Sequence, residues 1–339
     1  GVKRILFYSS VNSLELFKTQ KFYQIDISIL KDLGYDVLLS NRIFDSLLFW
    51  KYDILFSYFY RYSFFAALLA KCFGKKTYFT GGIDSLDSDY ASAFNYKIQA
   101  LFFKLCYWVA DSCIIVSQSD LKNIFKVSSL KKKLSYSEHV INTKLFIADV
   151  PKEKIFTSIV WMGDEGNVVR KGVDKALQIF AELKKIPEFV DYRFVIIGRK
   201  GEGEVLVRSI IDKYNLKGSV ESKGEVSEDD KINLLKQSKY YFQLSLYEGF
   251  GLAALEALCA NNIIIHSGKG GLANPIYKEQ LLFDIDNDFD SELLKLVNKL
   301  ACFTPITSYD NLLEYYDIQR RKDDFEAIIV NGKSNYKLK

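Results

Sequence analysis

The chain has 339 residues, enough for two domains of about 150 residues each. Hydrophobic residues make up 49% and charged residues 26% of the sequence, which excludes a disordered chain, and four prolines and 19 glycines exclude a collagen-like protein. The net charge is +4, but residues 1–150 hold 19 Lys and Arg against 13 Asp and Glu, a difference of +6. This mild excess predicts no nucleic-acid partner, and it leaves open an anionic partner or simply a solvated surface.

The five cysteines form no metal-binding or disulfide pattern. They include no Cys-x-x-Cys pair and have apolar flanks, so we expect buried thiols in a reducing compartment. The first residues do not have the pattern of a signal peptide, and every apolar run of about 18 residues contains charges. These features predict a cytoplasmic protein without a membrane-spanning segment. The cysteines are Cys72, Cys106, Cys113, Cys259 and Cys302.

Short apolar runs alternate with longer segments of helical periodicity. In the first half, the predicted strands are 5–8, 37–39, 54–56, 77–79 and 113–116, and the predicted helices are 22–33, 64–72, 96–110 and one that ends at Lys126. The same alternation of strands and helices begins again near residue 155. There the predicted strands are 156–162, 194–197, 241–244 and 263–265, and the predicted helices are 173–184, 205–214, 231–237 and 252–258.

This alternation predicts an α/β protein with two Rossmann-like lobes, each built on a doubly wound parallel sheet. The junction is expected near residues 148–154, and the tail from about Ser308 is expected to be helical and charged. Two such lobes form a cleft, and ligands of open α/β sheets bind at the carboxyl ends of the strands. The residues that carry the chemistry are therefore expected in the loops that follow strands.

Residues 248–257 follow a predicted strand and begin a predicted helix. Gly249 and Gly251 let the backbone approach a ligand closely, so the first N–H groups of the helix become available to a phosphate. Glu248 lies before the helix, and Glu256 lies more than one turn inside it. Carboxylates accept hydrogen bonds from hydroxyl groups, so this segment suits a sugar on one side and a ribose on the other.

A second candidate element is the basic segment Arg170-Lys171-Gly172, at the start of the predicted helix 173–184. A cation at a helix N-terminus opposes the helix dipole by roughly 0.3–1 kcal/mol. A bound anion would offset that cost. A solvated pair of side chains explains the segment equally well.

Together these segments resemble glycosyltransferase family 4, the retaining enzymes of GT-B fold. Glu248-x7-Glu256, with its inner Gly-Phe-Gly-Leu, resembles the hallmark of the family, and Arg170-Lys171-Gly172 resembles its donor-diphosphate segment. Weaker similarities lie at 196–198, 220–226, 263–271, 110–117 and 139–146. The resemblance covers most of the chain, most strongly from 155 to 275. It implies an acceptor-binding lobe (1–150), a nucleotide-sugar-binding lobe (151–307) and a helical tail (308–339) that packs back on the first lobe.

The resemblance implies transfer of a hexose from a nucleotide sugar with retention of anomeric configuration, without a metal ion or other cofactor. Glu248 would contact the donor sugar and support positive charge at its anomeric carbon, and Arg170 and Lys171 would stabilise the departing diphosphate. Glu256 would bind the ribose diol. The expected donor is a UDP-sugar in preference to a GDP-sugar, and the expected acceptor is a saccharide or lipid-linked saccharide in polysaccharide biosynthesis. The other positions expected to bind the donor are Gly249, Phe250, Gly251, Leu252, Gly198, Lys223, Gly224 and Val226.

The sequence departs from the family pattern at three loops. A family histidine that reaches the donor sugar is replaced by the run Gly81, Gly82, Ile83 and Asp84, so Asp84 or the backbone would supply that contact. The glycine-rich loop after the first strand is replaced by a run that begins with Ser9 and Ser10. After strand 156–162, Gly163-Asp164 stands in place of an Arg, so donor binding would depend more on the basic segment. We expect the acceptor or sugar side to include Ser9, Ser10, Gly81, Gly82 and Asp84.

Other short motifs give no metal site. Asp87-Ser88-Asp89 has the spacing of a metal–diphosphate motif, but so short a match is common by chance. The acidic run 284–288 lacks the Gly and Glu that a calcium loop requires, and 198–203 lacks the spacing of a dinucleotide-binding turn. The two histidines, His139 and His266, cannot form a zinc site by themselves, and we expect a structural role for His266.

Two other functions stay open at this point: a nucleotide-sugar epimerase of the same fold, and a non-catalytic binder of sugar nucleotides. An epimerase would need acid–base residues that the sequence does not reveal. The retained Glu248, Glu256, Arg170 and Lys171 argue against a decayed site. The aromatic groups at 49–50, 58–60, 102–103 and 107–108, with the charge of the first half, also leave open a peripheral contact with the cytoplasmic face of a membrane, although core packing explains most of them.

Overall fold

The structure is a computed structural model that describes residues 1–147, 149–303 and 309–338. The chain forms two compact units. The first contains Gly1–Ile141 and the segment that begins at Tyr316, and the second contains Asn142–Tyr315. The lobe boundaries expected from the sequence lie near 150 and 308 instead. Residues 148 and 304–308, which include the expected start of the tail, lie outside the described residues.

Parallel strands alternate with helices in both units. The strands are β1 (Arg4–Tyr8), β2 (Asp36–Ser40), β3 (Ile54–Tyr58), β4 (Lys76–Thr80), β5 (Ser112–Ile115), β6 (Leu134–Tyr136), β7 (Ile155–Ile159), β8 (Arg193–Ile197), β9 (Val220–Gly224), β10 (Tyr240–Gln243), β11 (Ile263–His266) and β12 (Leu281–Leu282). The α-helices are α1 (Leu16–Thr19), α2 (Lys21–Asp32), α3 (Ser63–Cys72), α4 (Ala93–Val109), α5 (Gln118–Val127), α6 (Glu165–Arg170), α7 (Val173–Leu183), α8 (Glu204–Lys213), α9 (Glu228–Gln237), α10 (Leu252–Cys259), α11 (Phe289–Ala301), α12 (Tyr309–Tyr315) and α13 (Ile318–Phe325).

The first unit is built on a parallel sheet with the strand order β2-β1-β3-β4-β5-β6. Every position of β3 is buried, as is typical of a parallel strand covered by helices on both faces. One hydrophobic cluster contains Phe64 of α3 and Phe103 of α4. A separate cluster contains Ile29 of α2 and Phe325 of α13. The helices therefore bury both faces of the sheet.

The second unit is built on a parallel sheet with the order β12-β11-β10-β7-β8-β9. The chain proceeds from β7 outward to β9 and then returns to place β10 against the other side of β7. Where crossovers leave two neighbouring strands in opposite directions, a crevice forms at the carboxyl ends of those strands, and ligands bind there. A ligand site is therefore expected at the loops after β7 and β10.

The strands and long helices predicted from the sequence are present, with shifted ends. β7 ends at Ile159 instead of 162, and α9 begins at Glu228 because the Ser227 side chain caps it. The strands β6 and β12 and the helices α1, α6 and α11 were not predicted from the sequence. Asp164 and Asp288 cap α6 and α11 through their side chains, so an N-cap signal was present for both helices.

The expectation of five buried cysteines was wrong for two of them. Cys106, Cys113 and Cys259 are buried, whereas Cys72 and Cys302 are exposed. Both exposed residues lie at the C-terminal end of a helix, Cys72 in α3 and Cys302 just after α11. Burial raises the pKa of Cys106 and of Cys113, which keeps these two thiols unreactive.

Aromatic side chains of the first unit serve both the core and the surface. Tyr58, Tyr60 and Phe103 are buried, whereas Trp50 and Trp108 are 58% and 61% exposed. Core packing therefore explains only part of the aromatic content. Within residues 1–147, 149–303 and 309–338, no helix is both long and apolar enough to cross a bilayer.

A buried ion pair attaches α13 to the first unit. Arg321 and Asp26 of α2 are both fully buried. Nε and Nη2 of Arg321 donate hydrogen bonds of 2.8 Å to the two oxygens of Asp26, and Nη1 donates to the carbonyl oxygen of Ser137 at 2.6 Å. A bidentate pair of this kind satisfies a guanidinium away from water. The segment from Tyr316 therefore completes the first unit.

Replacing Arg321 with Met should destabilise the first unit, because Asp26 would keep a buried carboxylate without its partner. We expect the free energy of unfolding to fall by about 3–5 kcal/mol, measured by urea denaturation. Lys322→Met, in the same helix but only half-buried, is the matched control and should change this free energy by less than about 0.5 kcal/mol. Equal losses in the two variants would show that the ion pair contributes nothing.

Candidate functional site

The loop between β10 and α10 places Glu248 at the carboxyl edge of the second sheet. β10 ends at Gln243, and α10 begins at Leu252 after Gly251, whose backbone is left-handed with φ of 85°. Gly251, the N-cap residue of α10, has no side chain that could accept from the first N–H groups of the helix. Uncapped N–H groups at the start of a helix favour an anion.

The carboxylate of Glu248 is buried and held by three donors. Lys171 Nζ, Ser245 Oγ and Gln243 Nε2 donate to Oε1 at 2.5, 2.8 and 3.0 Å. The Lys171 side chain is 25% exposed and that of Glu248 is 8% exposed, so the ion pair lies at the boundary between interior and solvent. In the described part of the chain no hydrogen bond reaches Oε2, which leaves that oxygen to accept from a ligand.

The side chains that hold Glu248 were missed in the sequence analysis. Tyr241, Gln243 and Ser245 alternate along β10 and the residues after it, so they share one side of the strand, and all three are buried. Tyr241 Oη donates to Gln243 Oε1 at 2.9 Å, and Gln243 Nε2 donates to Ser245 Oγ at 2.8 Å and to Glu248. Burial, followed by the charge of Glu248, raises the pKa of Tyr241, so its hydroxyl keeps its proton and donates. The polar residues at every second position of an otherwise apolar strand were the signal in the sequence that could have indicated these side chains.

The basic segment lies at the junction of two helices. Arg170 is the last residue of α6, Lys171 is the C-cap of that helix, and Gly172 is the N-cap of α7. As expected, the segment stands at the start of α7, whose dipole opposes a cation, but it also ends α6, whose C-terminal end favours one. The two side chains also differ in partner. Arg170 Nη2 donates to Asn167 Oδ1 at 2.8 Å, whereas Lys171 pairs with Glu248.

A close backbone approach joins the basic segment to the Glu248 loop. A Cβ atom at Gly172 would lie 2.0 Å from the carbonyl oxygen of Leu244, and the φ of Gly172 is 74°. Beside this contact, the N–H of Leu246 donates to the carbonyl of Arg170 at 2.8 Å. A residue with a side chain cannot adopt this geometry without displacing the backbone. Lys171 therefore reaches Glu248 because position 172 carries no side chain.

Glu256, the second predicted carboxylate, is buried in α10 and pairs with α9. Nζ of Lys231 lies 2.6 Å from Oε2 of Glu256 and 3.0 Å from Oε1 of Glu228. Burial lowers the pKa of Lys231, but the two glutamates more than offset this and the pKa is raised. The lysine is therefore charged at neutral pH and fixes the position of the Glu256 carboxylate.

The Gly270–Gly271 turn supports the loop that contains Glu248, Gly249 and Phe250. The N–H of Gly271 donates to the carbonyl of Glu248 at 2.7 Å. A Cβ atom at Gly271 would lie 2.4 Å from the carbonyl oxygen of Gly249. Phe250 is itself buried. The turn after β11 thus packs against the backbone of this predicted donor-binding loop and fixes its position.

The remaining donor-side candidates lie at the ends of β8 and β9. The N–H of Gly198 donates to the carbonyl of Gly224 at 2.9 Å, which brings these two glycines together. Lys223 is exposed and Val226 is half-buried. In the sheet order, β8 and β9 lie two and three strands from β10. This group therefore flanks the Glu248 loop along the same edge.

Ser9 and Ser10 of the first unit differ in their exposure to solvent. The hydroxyl of Ser9 is buried and hydrogen-bonded to that of Tyr23 at 2.7 Å, so the core already uses it. Ser10 is exposed and lines an open cavity of about 620 Å³. Other residues around this cavity include Asn41, Arg42, Asp45 and Tyr62. Only Ser10 is placed to meet a ligand.

Gly81, Gly82 and Asp84 follow β4, beside a buried acid that the sequence analysis missed. Asp84 is exposed and begins a 3₁₀ turn. Oδ2 of the fully buried Asp120, in the first turn of α5, accepts from the N–H of Ile83 at 3.3 Å. Burial, and then the charge of Asp84, raise the pKa of Asp120 to about 8. Asp120 is therefore largely protonated at neutral pH, and it anchors the loop that contains these candidates.

Neither histidine belongs to a metal cluster: in the ranges 1–147, 149–303 and 309–338, no three His, Cys, Asp or Glu side chains are grouped so as to hold an ion. Nδ1 of His266 accepts from the N–H of Gly268 at 3.0 Å, and Nε2 faces the carbonyl of Tyr277 at 3.2 Å. Burial, only partly offset by the Tyr277 contact, lowers the pKa of His266 to about 4. The ring is thus neutral with both nitrogens engaged. Burial also lowers the pKa of His139.

Solved structures with the same architecture include HepE from Anabaena in complex with UDP and glucose. The TM-score is 0.73 at 12% identity, and the match covers 97% of this chain and 100% of that chain. The fold is GT-B. Sucrose-phosphate synthase from Thermosynechococcus elongatus is also similar, with a TM-score of 0.65 at 15% identity and 97% of each chain covered. The GT-B fold expected from the sequence is confirmed.

Sequence comparison finds a family match within the second unit. Residues 166–300 match the family model for glycosyl transferases group 1, a segment that contains both the basic segment and the Glu248 loop. The GDP-mannose:cellobiosyl-diphosphopolyprenol alpha-mannosyltransferase of Xanthomonas oryzae pv. oryzae is 31% identical over 163 residues, which are 42% of this chain and 40% of that relative. The similar region thus spans less than half the length of this curated relative.

Replacing Gly172 with Ala should destabilise the second unit through two effects, the left-handed backbone and the clash with Leu244. We expect a loss of more than about 2 kcal/mol in the free energy of unfolding, measured by denaturant titration. Gly218→Ala is the control, because Gly218 has φ of 89° but no atom within 4 Å of its Cβ position. It should lose only about 1 kcal/mol. If the two variants lost the same amount, the close approach would not constrain the site.

Proposed function

We propose that this protein is a glycosyltransferase that moves a sugar from a nucleotide sugar to a saccharide or lipid-linked saccharide acceptor. One observation carries the proposal: the Lys171–Glu248 ion pair, at the boundary between interior and solvent, lies beside the start of α7 and the start of α10, at the switch point of a GT-B second unit. A carboxylate for sugar hydroxyls and positive charge for a diphosphate meet there. The match of residues 166–300 to glycosyl transferases group 1 supports the same activity.

The diphosphate would bind between the starts of α7 and α10. Neither helix has a side-chain cap, since Gly172 and Gly251 stand at the two N-cap positions. The N–H groups and dipoles of both helices therefore favour an anion. Lys171 and Arg170 add two positive charges beside them. We infer that these charges stabilise the leaving diphosphate and that a metal ion is not required.

The sugar and ribose would bind on either side of the diphosphate. Oε2 of Glu248 would accept from sugar hydroxyls, and the negative charge of this residue would stabilise positive charge at the anomeric carbon. Glu256 would accept from the ribose diol, and the backbone from Gly249 to Leu252 would hold the sugar and phosphate. We assign the nucleobase to Gly198, Lys223, Gly224 and Val226. We further propose retention of the anomeric configuration, as the resemblance to family 4 implies.

The names of the similar proteins guide the choice of substrates to test. HepE was solved with UDP and glucose, which favours a UDP-sugar as the first donor. The name of the Xanthomonas relative contains GDP-mannose and a diphosphopolyprenol acceptor. GDP-sugars therefore belong in the same panel of donors. We propose a lipid-linked saccharide as the first acceptor to test.

Glu248→Gln should abolish most turnover, because the amide keeps the shape of the side chain but removes its negative charge. We expect kcat for nucleotide release from the best UDP- or GDP-sugar to fall about 100- to 1,000-fold, with the wild-type rate unchanged by EDTA. Glu292→Gln is the matched control, since Glu292 is 7% exposed and pairs with Lys295 in the same unit. Sugar isomerisation without nucleotide release, or binding without turnover, would refute the transferase.

Gln243→Leu should lower kcat through the orientation of Glu248, because Gln243 links Tyr241 to that carboxylate without facing solvent. We expect kcat to fall about 10- to 100-fold, with a much smaller change in the KM for the donor. Gln280→Leu is the control, because buried Gln280 accepts from the N–H of Ile264 at 2.8 Å in the same unit. That variant should lose stability but keep kcat. Unchanged kcat in Gln243→Leu would remove Gln243 from the positioning of Glu248.

A further inference from the structure

The outer side of α4 carries a line of apolar and basic side chains that the core does not use. Phe94, Leu101 and Trp108 are 73%, 56% and 61% exposed, and Lys97 and Lys104 between them are also exposed. The five residues recur at intervals of three and four. On a helix they fall within an arc of about 80° and extend over about 21 Å. They form a continuous outer stripe on α4.

The neighbouring helix α3 widens this surface. Phe65 is 42% exposed, and its ring centroid lies 6.1 Å from that of Phe102 on α4 in an edge-to-face arrangement. We call Phe65 together with the outer stripe of α4 the α3–α4 face. Single exposed apolar residues are ordinary on a soluble protein, but a contiguous set marks a surface with a partner.

The charges of the α3–α4 face identify the partner. The sequence of α4 contains Lys97 and Lys104 but no acidic residue. The flanking acids lie outside the helix, Asp89 before it and Asp111 after it, and Asp111 pairs with Lys76 at 3.6 Å. Lysines flanked by apolar residues can bury their methylene stems in lipid while the ammonium groups reach anionic headgroups. Trp108, at the end of the stripe, is a residue type enriched at the boundary between lipid and water.

We propose that the α3–α4 face binds the anionic surface of a lipid bilayer, with α4 lying in the plane of the headgroups. The three apolar residues of the stripe enter the boundary between headgroups and acyl chains, and the two lysines contact lipid phosphates. This contact with the bilayer involves neither the donor nor the acceptor of the proposed reaction. The binding is therefore expected with or without a nucleotide sugar.

Vesicle flotation with the whole protein tests this proposal. Wild-type protein should float with vesicles of phosphatidylcholine and phosphatidylglycerol, and less with phosphatidylcholine alone. The triple variant Phe94→Gln, Leu101→Gln, Trp108→Gln should bind the anionic vesicles at least tenfold more weakly. Lys97→Gln with Lys104→Gln should lose about fivefold per lysine and lose the preference for phosphatidylglycerol. Val205→Gln with Leu294→Gln, which removes residues 73% and 63% exposed in the second unit, should bind as the wild type does.

Trp108 supplies a direct readout of contact. The chain has three Trp residues, so Trp50→Phe with Trp161→Phe leaves Trp108 alone. Its fluorescence should shift to the blue on addition of anionic vesicles and should be quenched by brominated lipid. Circular dichroism and nucleotide release in solution should be unchanged in the triple variant. Absence of flotation, no quenching of Trp108, or a dimer that the triple variant dissolves would overturn the proposal, the last by assigning the face to a second copy of the chain.

Discussion

The contact between Gly172 and the carbonyl of Leu244 is the constraint on which the geometry of the candidate site depends. It brings the end of α6 and the start of α7 against the chain that leaves β10. The hydrogen bond from Leu246 to Arg170 fixes the register of the two segments. Because the backbones cannot move apart without losing this bond, the side chain of Lys171 is directed at Glu248. Two segments that are 77 residues apart in sequence are thereby joined in one ion pair.

Two lysine–glutamate pairs bracket α10. Glu248 precedes the helix and pairs with Lys171, and Glu256 lies inside it and pairs with Lys231. Both carboxylates are buried, and the cation beside each one offsets the cost of removing its charge from water. Tyr241, Gln243 and Ser245 hydrogen-bond to one another and to Glu248, so the polar groups of these buried side chains have partners. The site therefore has fixed charges before any ligand arrives, and its groups need little reorganisation when one binds.

The alternation of strands and helices, and with it the two parallel sheets, was predictable from the sequence, because buried parallel strands such as β3 read as continuous apolar runs. The segment Glu248–Glu256 was also visible, since glycines beside carboxylates stand out at the start of a helix. The side chains that hold Glu248 and Glu256 in place were harder to predict from the sequence. That Gln243 hydrogen-bonds Glu248 depends on the side of the strand it occupies, and the partner of Glu256 comes from another helix. Asp120 was missed because only the folded structure shows that it is buried beside the loop after β4.

The ion pair between Asp26 and Arg321 constrains the order in which the protein can fold during translation. The two residues are 295 positions apart, so a ribosome releases the sheet of the first unit long before the arginine that neutralises its buried carboxylate. The second unit lies wholly between them in the chain. It can reach its native state while the nascent first unit still lacks α13, so the first unit is completed only after the second unit has been translated.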